Sequence, residues 1–272
     1  MGSPYWVRTL INKTFSMRFT LARATRLPLI GRLVDYLLFE NDEVVYLPVD
    51  KTVPIDRSLE TPESLAVPSQ VVDHFIRKAA FHWIMNFCIC RDSAQCRDYP
   101  IEYGCIFLGA AAADINPAFG RPVTMDEALA HARRCREAGL VQLIGRNKLD
   151  TVWLRVGPSD RLMTICNCCP CCCLWKILPL MTPAISNKVS RLPGIHMAVG
   201  DQCRGCGVCT HEVCFVDAIR LVDERAVIDQ ASCRGCGRCA VVCPQQAITV
   251  VIDDAAYITH AIGRISRLVD LS

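Results

Sequence analysis

Residues 203–243 carry Cys-x-x-Cys-x-x-Cys twice, as Cys203-Arg-Gly-Cys206-Gly-Val-Cys209 and Cys233-Arg-Gly-Cys236-Gly-Arg-Cys239. The copies repeat every thirty residues, from Cys203 to Cys233. One further cysteine follows each, Cys214 and Cys243, and the copies close alike in Asp217-Ala-Ile-Arg-Leu and Gln246-Ala-Ile-Thr-Val. This spacing leaves a chain few options. Three thiolates on one tight loop grip three corners of a cubane of four irons and four sulfides, and the fourth corner must be reached from elsewhere. Gly205, Gly207, Gly235 and Gly237 suit such loops, because a residue without Cβ permits positive φ and lets backbone N–H groups point at sulfur. Structural zinc competes for paired Cys-x-x-Cys elements, but a zinc knuckle uses only two cysteines and would leave the third in each loop without a role.

Over residues 198–252 this pattern resembles the bacterial two-cluster ferredoxin module. The resemblance implies two [4Fe-4S] clusters with exchanged fourth ligands. One cluster would take Cys203, Cys206, Cys209 and Cys243, the other Cys233, Cys236, Cys239 and Cys214. Pro244 follows Cys243 as in that family. The first copy departs from the pattern: four residues, Thr210-His-Glu-Val213, separate Cys209 from Cys214 where three are usual, and Phe215 replaces the usual proline. That loop is expected to be longer and less rigid.

A chain of 272 residues with 51% apolar composition can build about two domains around real cores. Nineteen cysteines in a chain this long, behind an N-terminus lacking a signal-peptide pattern, read as metal ligands in a reducing, cytoplasmic setting rather than as disulfides. No stretch has 18 uninterrupted apolar residues, so no transmembrane helix is expected. A net charge of +3 and the absence of a recognition motif argue against nucleic acid. Dinucleotide, P-loop and Gly-x-Ser-x-Gly signatures are also missing, and no catalytic acid–base pair can be nominated. His211, in the long loop beside Cys209, is best read as an ordinary surface histidine.

The expected fold is α+β, with a mainly helical, cysteine-rich N-terminal domain followed by a ferredoxin-like domain. Residues 1–67 form a basic amphipathic segment and linker, 68–190 a cysteine-rich metal-centre domain, and 191–272 the two-cluster module with a C-terminal helix. Residues 1–40 hold six Lys or Arg and no acid before Asp35, with apolar residues interleaved and Pro28 interrupting any long helix. Two short helices packed on the body are favoured there, with peripheral membrane contact as the competing use. Glu43-Val-Val-Tyr-Leu47 reads as an edge strand followed by a Pro/Ser/Thr-rich loop. A helix from Ser69 carries the stripe Val72, Phe75, Ile76, Ala79, Trp83 and Ile84. Thr124-Met-Asp-Glu127 is a capping box opening a helix that Gly139 ends, with Cys135 as a small buried hydrophobe. Residues 151–156 alternate like a strand, and 256–271 form an amphipathic helix.

Ten more cysteines lie outside the module besides Cys135: Cys88, Cys90, Cys96 and Cys105, then Cys166, Cys168, Cys169, Cys171, Cys172 and Cys173. Three readings compete. Soft thiolates select a third iron–sulfur cluster or zinc, and the remaining option is buried thiols with a redox-active pair. Cys88, Cys90, Cys96, Cys105, Cys168, Cys169 and Cys172 are the candidate ligands, and Arg91 is placed to donate to cluster sulfur. Across residues 70–250 the chain resembles a group of anaerobe iron–sulfur proteins with an N-terminal Cys-x-Cys-Arg segment, a Cys-Asn-Cys-Cys-x-Cys-Cys-Cys run and a C-terminal two-cluster module, a group of unassigned reaction. The expectation is an electron carrier relaying single electrons to a redox partner. The alternative is a reductase whose N-terminal iron–sulfur centre is fed by the ferredoxin domain.

Overall fold

The computed structural model describes residues 2–50, 68–253 and 256–272. The Pro/Ser/Thr-rich loop expected after Leu47 lies largely outside them. The fold is α+β, and helices dominate the N-terminal part. They surround a seven-stranded sheet of β1 (Glu43–Tyr46), β2 (His82–Met85), β3 (Ile106–Leu108), β4 (Gly120–Pro122), β5 (Val141–Arg146), β6 (Met163–Cys168) and β7 (Val189–Arg191). Its order is β4-β2-β3-β6-β5-β1-β7. All neighbours are antiparallel except β1 and β7.

The run at Glu43 is therefore not an edge. Val44, Val45 and Tyr46 are buried between β5 and β7. Both faces of the sheet are covered, and a doubly covered strand reads as a continuous apolar run rather than an alternating one. On β3, Ile106 and Leu108 join the main core while Phe107 joins a second cluster with Trp83, Phe119 and Leu154.

Helices α1 (Trp6–Thr14), α2 (Arg18–Ala24) and α3 (Pro28–Val34) come first in the chain. Pro28 sits in the first turn of α3, where its missing N–H costs nothing. Next, α4 (Ser69–Lys78) ends before Ala79, so its apolar face is Val71, Val72, Phe75 and Ile76. Trp83 and Ile84, expected on that helix, belong to β2. The short α5 (Ile89–Ala94) ends at Gln95, whose left-handed backbone turns the chain outward. The capping box forms as read: α6 (Met125–Glu137) starts with Glu127 N donating to Thr124 Oγ1 at 3.2 Å and Thr124 N donating to Glu127 Oε2 at 2.9 Å. Cys135 is fully buried, and its burial raises its pKa to about 12.

The strand expected over 151–156 is instead the end of α7 (Lys148–Leu154). Trp153 Nε1 donates to Asp150 Oδ1 at 2.9 Å, and the left-handed Arg155 closes the helix. These local bonds override the strand preference of Thr151 and Val152. After the short α8 (Pro183–Ser186) the module begins. β8 (Ile195–Val199) pairs antiparallel with β11 (Ile248–Ile252), and β9 (Ile219–Val222) forms a hairpin with β10 (Arg225–Ile228). Between them lies α9 (Arg238–Val242), and α10 (Tyr257–Ile265) then buries Tyr257, Ala261 and Ile265. The C-terminal helix is thus shorter than the 256–271 run. One continuous apolar core joins the two parts: Tyr46, Val71, Phe215 and Ile248 belong to it alike.

Candidate metal centres

The two Cys-x-x-Cys-x-x-Cys loops share their backbone conformation at equivalent positions. Gly205 and Gly235 both have φ +64, Gly207 and Gly237 have φ +77 and +75, and Asp217 and Gln246 have φ 51 and 50. At Gly205 a Cβ would also stand 2.1 Å from the Glu224 carbonyl oxygen, so the residue must be glycine for space as well as for conformation. Backbone N–H groups converge on the sulfurs. Ala218 N lies 3.3 Å from Cys214 Sγ, and its repeat counterpart Ala247 N lies 3.3 Å from Cys243 Sγ. Ala226 N approaches Cys203 Sγ and Gly235 N approaches Cys233 Sγ, each at 3.4 Å. Such bonds hold negative charge on sulfur.

The fourth cysteines cross over. Cys214 lines a small cavity with Cys233, Cys236 and Cys239, and Cys243 lines another with Cys203, Cys206 and Cys209. The extra residue of the first copy is absorbed locally. Glu212 takes φ 52, and Val208–Thr210 forms a tight 3-10 turn where the second copy has α9. Burial pushes the Cys236 thiol up to about 12, so holding it as a thiolate would require compensating positive charge. His211 is exposed.

The ten N-terminal cysteines separate into two groups. Cys88, Cys90, Cys105, Cys166, Cys168, Cys169 and Cys173 line a cavity of about 290 Å³. The N-terminal helices roof it with Ile11, Phe15, Arg18 and Leu21. Cys105 immediately precedes β3, whose Ile106 is opposite Ile165 of β6, and this register brings Cys105 Sγ to 3.9 Å from Cys166 Sγ. Cys96, Cys171 and Cys172 stand outside this cavity, and with Cys169 they form a separate knot in which all four sulfurs lie within 4.8 Å of one another. Of the seven candidates read from sequence, five line the cavity (Cys88, Cys90, Cys105, Cys168 and Cys169), while Cys96 and Cys172 do not. Cys166 and Cys173 are cavity residues that sequence reasoning missed. The strand period of β6, which puts 166 and 168 on one face, was the available signal.

Arg91 is wholly buried beside the cavity. Its Nε donates to Pro100 O at 2.9 Å, Nη1 to Asn167 O at 2.8 Å and Nη2 to Tyr103 O. Among the described residues no carboxylate pairs with it. Burial alone would lower its pKa, yet the nearby Cys88, Cys169 and Cys168 charges hold it above the ordinary value. The Cys88 thiol in turn is drawn down to about 7 by its hydrogen bond with Cys90, with help from Arg91 against burial. Cys166 is drawn well below an ordinary thiol by its bonds to Cys105 and Cys168. Three backbone carbonyls take the Arg91 donors, while the neighbouring Cys90, Cys105, Cys168 and Cys169 thiols are pushed above the ordinary value, by their thiol neighbours or by burial.

Residues 226–249 match a protein family described as a 4Fe-4S binding domain. Residues 226–249 thus form a 4Fe-4S binding domain towards the C-terminus. Its matched residues include Cys233, Cys236, Cys239 and Cys243, and it has the ligands for at least one 4Fe-4S cluster. A stretch of 46 residues is 48% identical to one subunit of the ion-translocating oxidoreductase complex of Methanosarcina acetivorans. That stretch covers 17% of this chain and 17% of the relative, so the chain spans about a sixth of that protein's length. No solved structure matches the chain. No helix among the described residues is long and apolar enough to cross a membrane.

The 4Fe-4S domain is docked against the N-terminal part of the chain through residues outside the cavity wall. Val49 N donates to Cys236 O at 3.1 Å, and Arg238 Nη2 donates to Tyr99 Oη at 2.6 Å and Nη1 to Gly139 O at 3.2 Å. Tyr46 of β1 stacks edge-on against Phe215 at 5.5 Å. Its wholly buried hydroxyl is held well above the ordinary tyrosine pKa, first by burial and then by the nearby Cys173, Cys168 and Cys236.

Proposed function

We propose that this chain relays single electrons through two [4Fe-4S] clusters in its C-terminal domain to a third iron–sulfur centre in the N-terminal thiol cavity. Cys203, Cys206, Cys209 and Cys243 hold the first cluster, and Cys233, Cys236, Cys239 and Cys214 the second. The third takes its ligands from Cys88, Cys90, Cys105, Cys166, Cys168 and Cys173. When bound, such clusters supply reversible one-electron chemistry at potentials set by charge, hydrogen bonds to sulfur and exposure. The observation that carries the reading is the pair of cysteine-ringed cavities together with a third thiol-lined cavity whose wall holds the buried Arg91, unpaired with any carboxylate among the described residues.

The protein's own residues do three things in this scheme. Backbone N–H groups of Ala218, Ala226, Gly235 and Ala247 stabilise charge on sulfur. Phe15 and Trp175, both buried, give the thiol cavity an apolar wall. Arg91 neutralises the anionic centre and favours its reduced state. The three segments then have separate tasks: side chains of residues 11–21 roof the cavity, 68–190 hold the third centre, and 191–272 deliver electrons.

A redox partner protein is part of this reading, in keeping with the similarity to a subunit of an oxidoreductase complex. Trp6, Leu10, Leu21, Leu29 and Leu33 are exposed, Leu29 by 82%, and lie among Arg23, Arg26 and Arg32. That surface suits docking to a partner or an anionic membrane surface. A second reading, in which the cavity centre itself reduces a substrate, is favoured by the cavity's room and by the Arg18 and Asp150 side chains on its wall. Replacing Cys88 and Cys90 together by Ser tests the relay. One paramagnetic signal is expected to vanish and two to persist; persistence of all signals would refute the cavity as a cluster site. A spectral change of the lost signal on adding substrate to the unaltered protein would favour the second reading.

A further inference from the structure

The knot of Cys96, Cys169, Cys171 and Cys172 is built from two distant pieces of chain. Cys96 follows the left-handed Gln95 at the end of α5, and its N–H donates to Arg91 O at 2.9 Å. Cys169-Pro-Cys171-Cys172 is the turn that leaves β6. Cys169 and Cys172 are buried, Cys96 and Cys171 half-buried, and Cys96 Sγ lies 3.6 Å from Cys171 Sγ. Among the described residues no other group of three or more His, Cys, Asp or Glu ligand atoms closes to within 4.8 Å.

That compactness is what separates the knot from the other thiol sets. Four sulfurs placed tetrahedrally at about 2.3 Å from one metal ion stand about 3.8 Å apart. A cubane instead spreads its four thiolates over four different iron corners, so they cannot approach so closely. The two cysteine tetrads of the 4Fe-4S domain, by the same measure, remain open around their cavities.

We propose that Cys96, Cys169, Cys171 and Cys172 bind a single thiophilic metal ion, zinc(II) or one iron, as a mononuclear tetrathiolate site distinct from the iron–sulfur centres. This site stands whether or not the thiol cavity holds a cluster. Its place in the fold gives it a positioning task. The segment it pins, residues 96–103, supplies two of the three carbonyls that hold Arg91, those of Pro100 and Tyr103, and the Tyr99 hydroxyl that receives Arg238 of the 4Fe-4S domain. A metal clamp here fixes both the counter-charge of the cavity and the seat of the 4Fe-4S domain.

The test uses the full chain purified without oxygen. Elemental analysis is expected to give about one zinc per chain, or one iron for which no labile sulfide is found, and X-ray absorption at that metal's edge about four sulfurs near 2.3 Å with no second metal in the shell. The half-buried ligand variant Cys171→Ser is expected to lose that ion while its labile sulfide and its paramagnetic cluster signals are unchanged. Loss of sulfide and of a cluster signal in Cys171→Ser would overturn the proposal, because the knot would then serve a cluster. Absence of zinc and of sulfide-free iron from the unaltered protein would overturn it too, as would a zinc-edge spectrum with nitrogen or oxygen neighbours. The unaltered protein's spectrum decides the matter even where the variant does not fold. Loss of the signal in the Cys88/Cys90 double variant addresses the cavity separately, so failure of one reading leaves the other visible.

Discussion

Arg91 Nη1 donates to the backbone carbonyl of Asn167 at 2.8 Å, tying the first turn of α5 to a strand 76 residues later. The guanidinium thus stands near Cys88 on its own segment and Cys168 and Cys169 on the other, and among the described residues no carboxylate pairs with it. Arg91→Gln removes that charge and leaves carbonyls without donors. A loss of about 3–5 kcal/mol in anaerobic denaturant unfolding is expected, as for breaking other buried charge pairs. The potential of the cavity centre is expected to fall as well. An unchanged potential would mean that Arg91 faces neutral thiols.

Gly205 and Gly263 make a contrasting pair. A methyl at Gly205 meets Glu224 O at 2.1 Å in a left-handed backbone, whereas one at Gly263, inside α10, meets nothing within 4 Å. Gly205→Ala is expected to cost more than the ~1–2 kcal/mol of the left-handed conformation alone and to loosen the cluster held by that loop. Gly263→Ala is expected to stabilise the chain by up to about 1 kcal/mol through helix propensity. Thermal unfolding of both variants checks the pair.

Thr124→Ala breaks the capping box at the start of α6. The expected cost is about 1 kcal/mol, read from denaturant unfolding, with no change in metal content. A simultaneous loss of metal would show that α6 is coupled to the thiol sites through Cys135 and Leu140, which pack beside Cys169 and Cys172.

Burial raises the Asp42 carboxyl to about 7, despite the hydrogen bond it accepts from Lys148 N at 2.6 Å. An unfolded aspartate titrates near 3.9, so between about pH 4 and 7 the folded state binds the extra proton. Its contribution is therefore present at low pH and lost as pH rises through 7. Asp42→Asn is expected to flatten the fall in stability between about pH 4 and 7, measured by unfolding at a series of pH values. An equal slope in both proteins would contradict the assignment.

Much of the C-terminal site was legible because its chemistry is local. Glycines, cysteines and the Asp217 and Gln246 endings sit at fixed offsets, and the two loops adopt the same backbone at equivalent positions. The added residue before Cys214 looked threatening in sequence, yet one left-handed residue, Glu212, takes it up. Helix α6 was legible for the same reason, since a capping box is a local signal. The N-terminal site was not, because strand register decides it. Nothing in the sequence says that Cys105 faces Cys166, or that Cys96 leaves its neighbours Cys88 and Cys90 to join Cys171. The central sheet was hidden too. Its inner strands are buried on both faces, so they lack the alternation by which a strand announces itself, and 151–156 showed that alternation while folding as a helix.

The central claim is that three cubane-type centres occupy this chain. Paired iron and labile-sulfide determination on anaerobically purified protein tests it most directly. About twelve sulfides per chain, with about twelve irons bound to them, are expected, whatever single ion the Cys96 knot adds. About eight sulfides, with the thiols of the cavity open to alkylation, would contradict it.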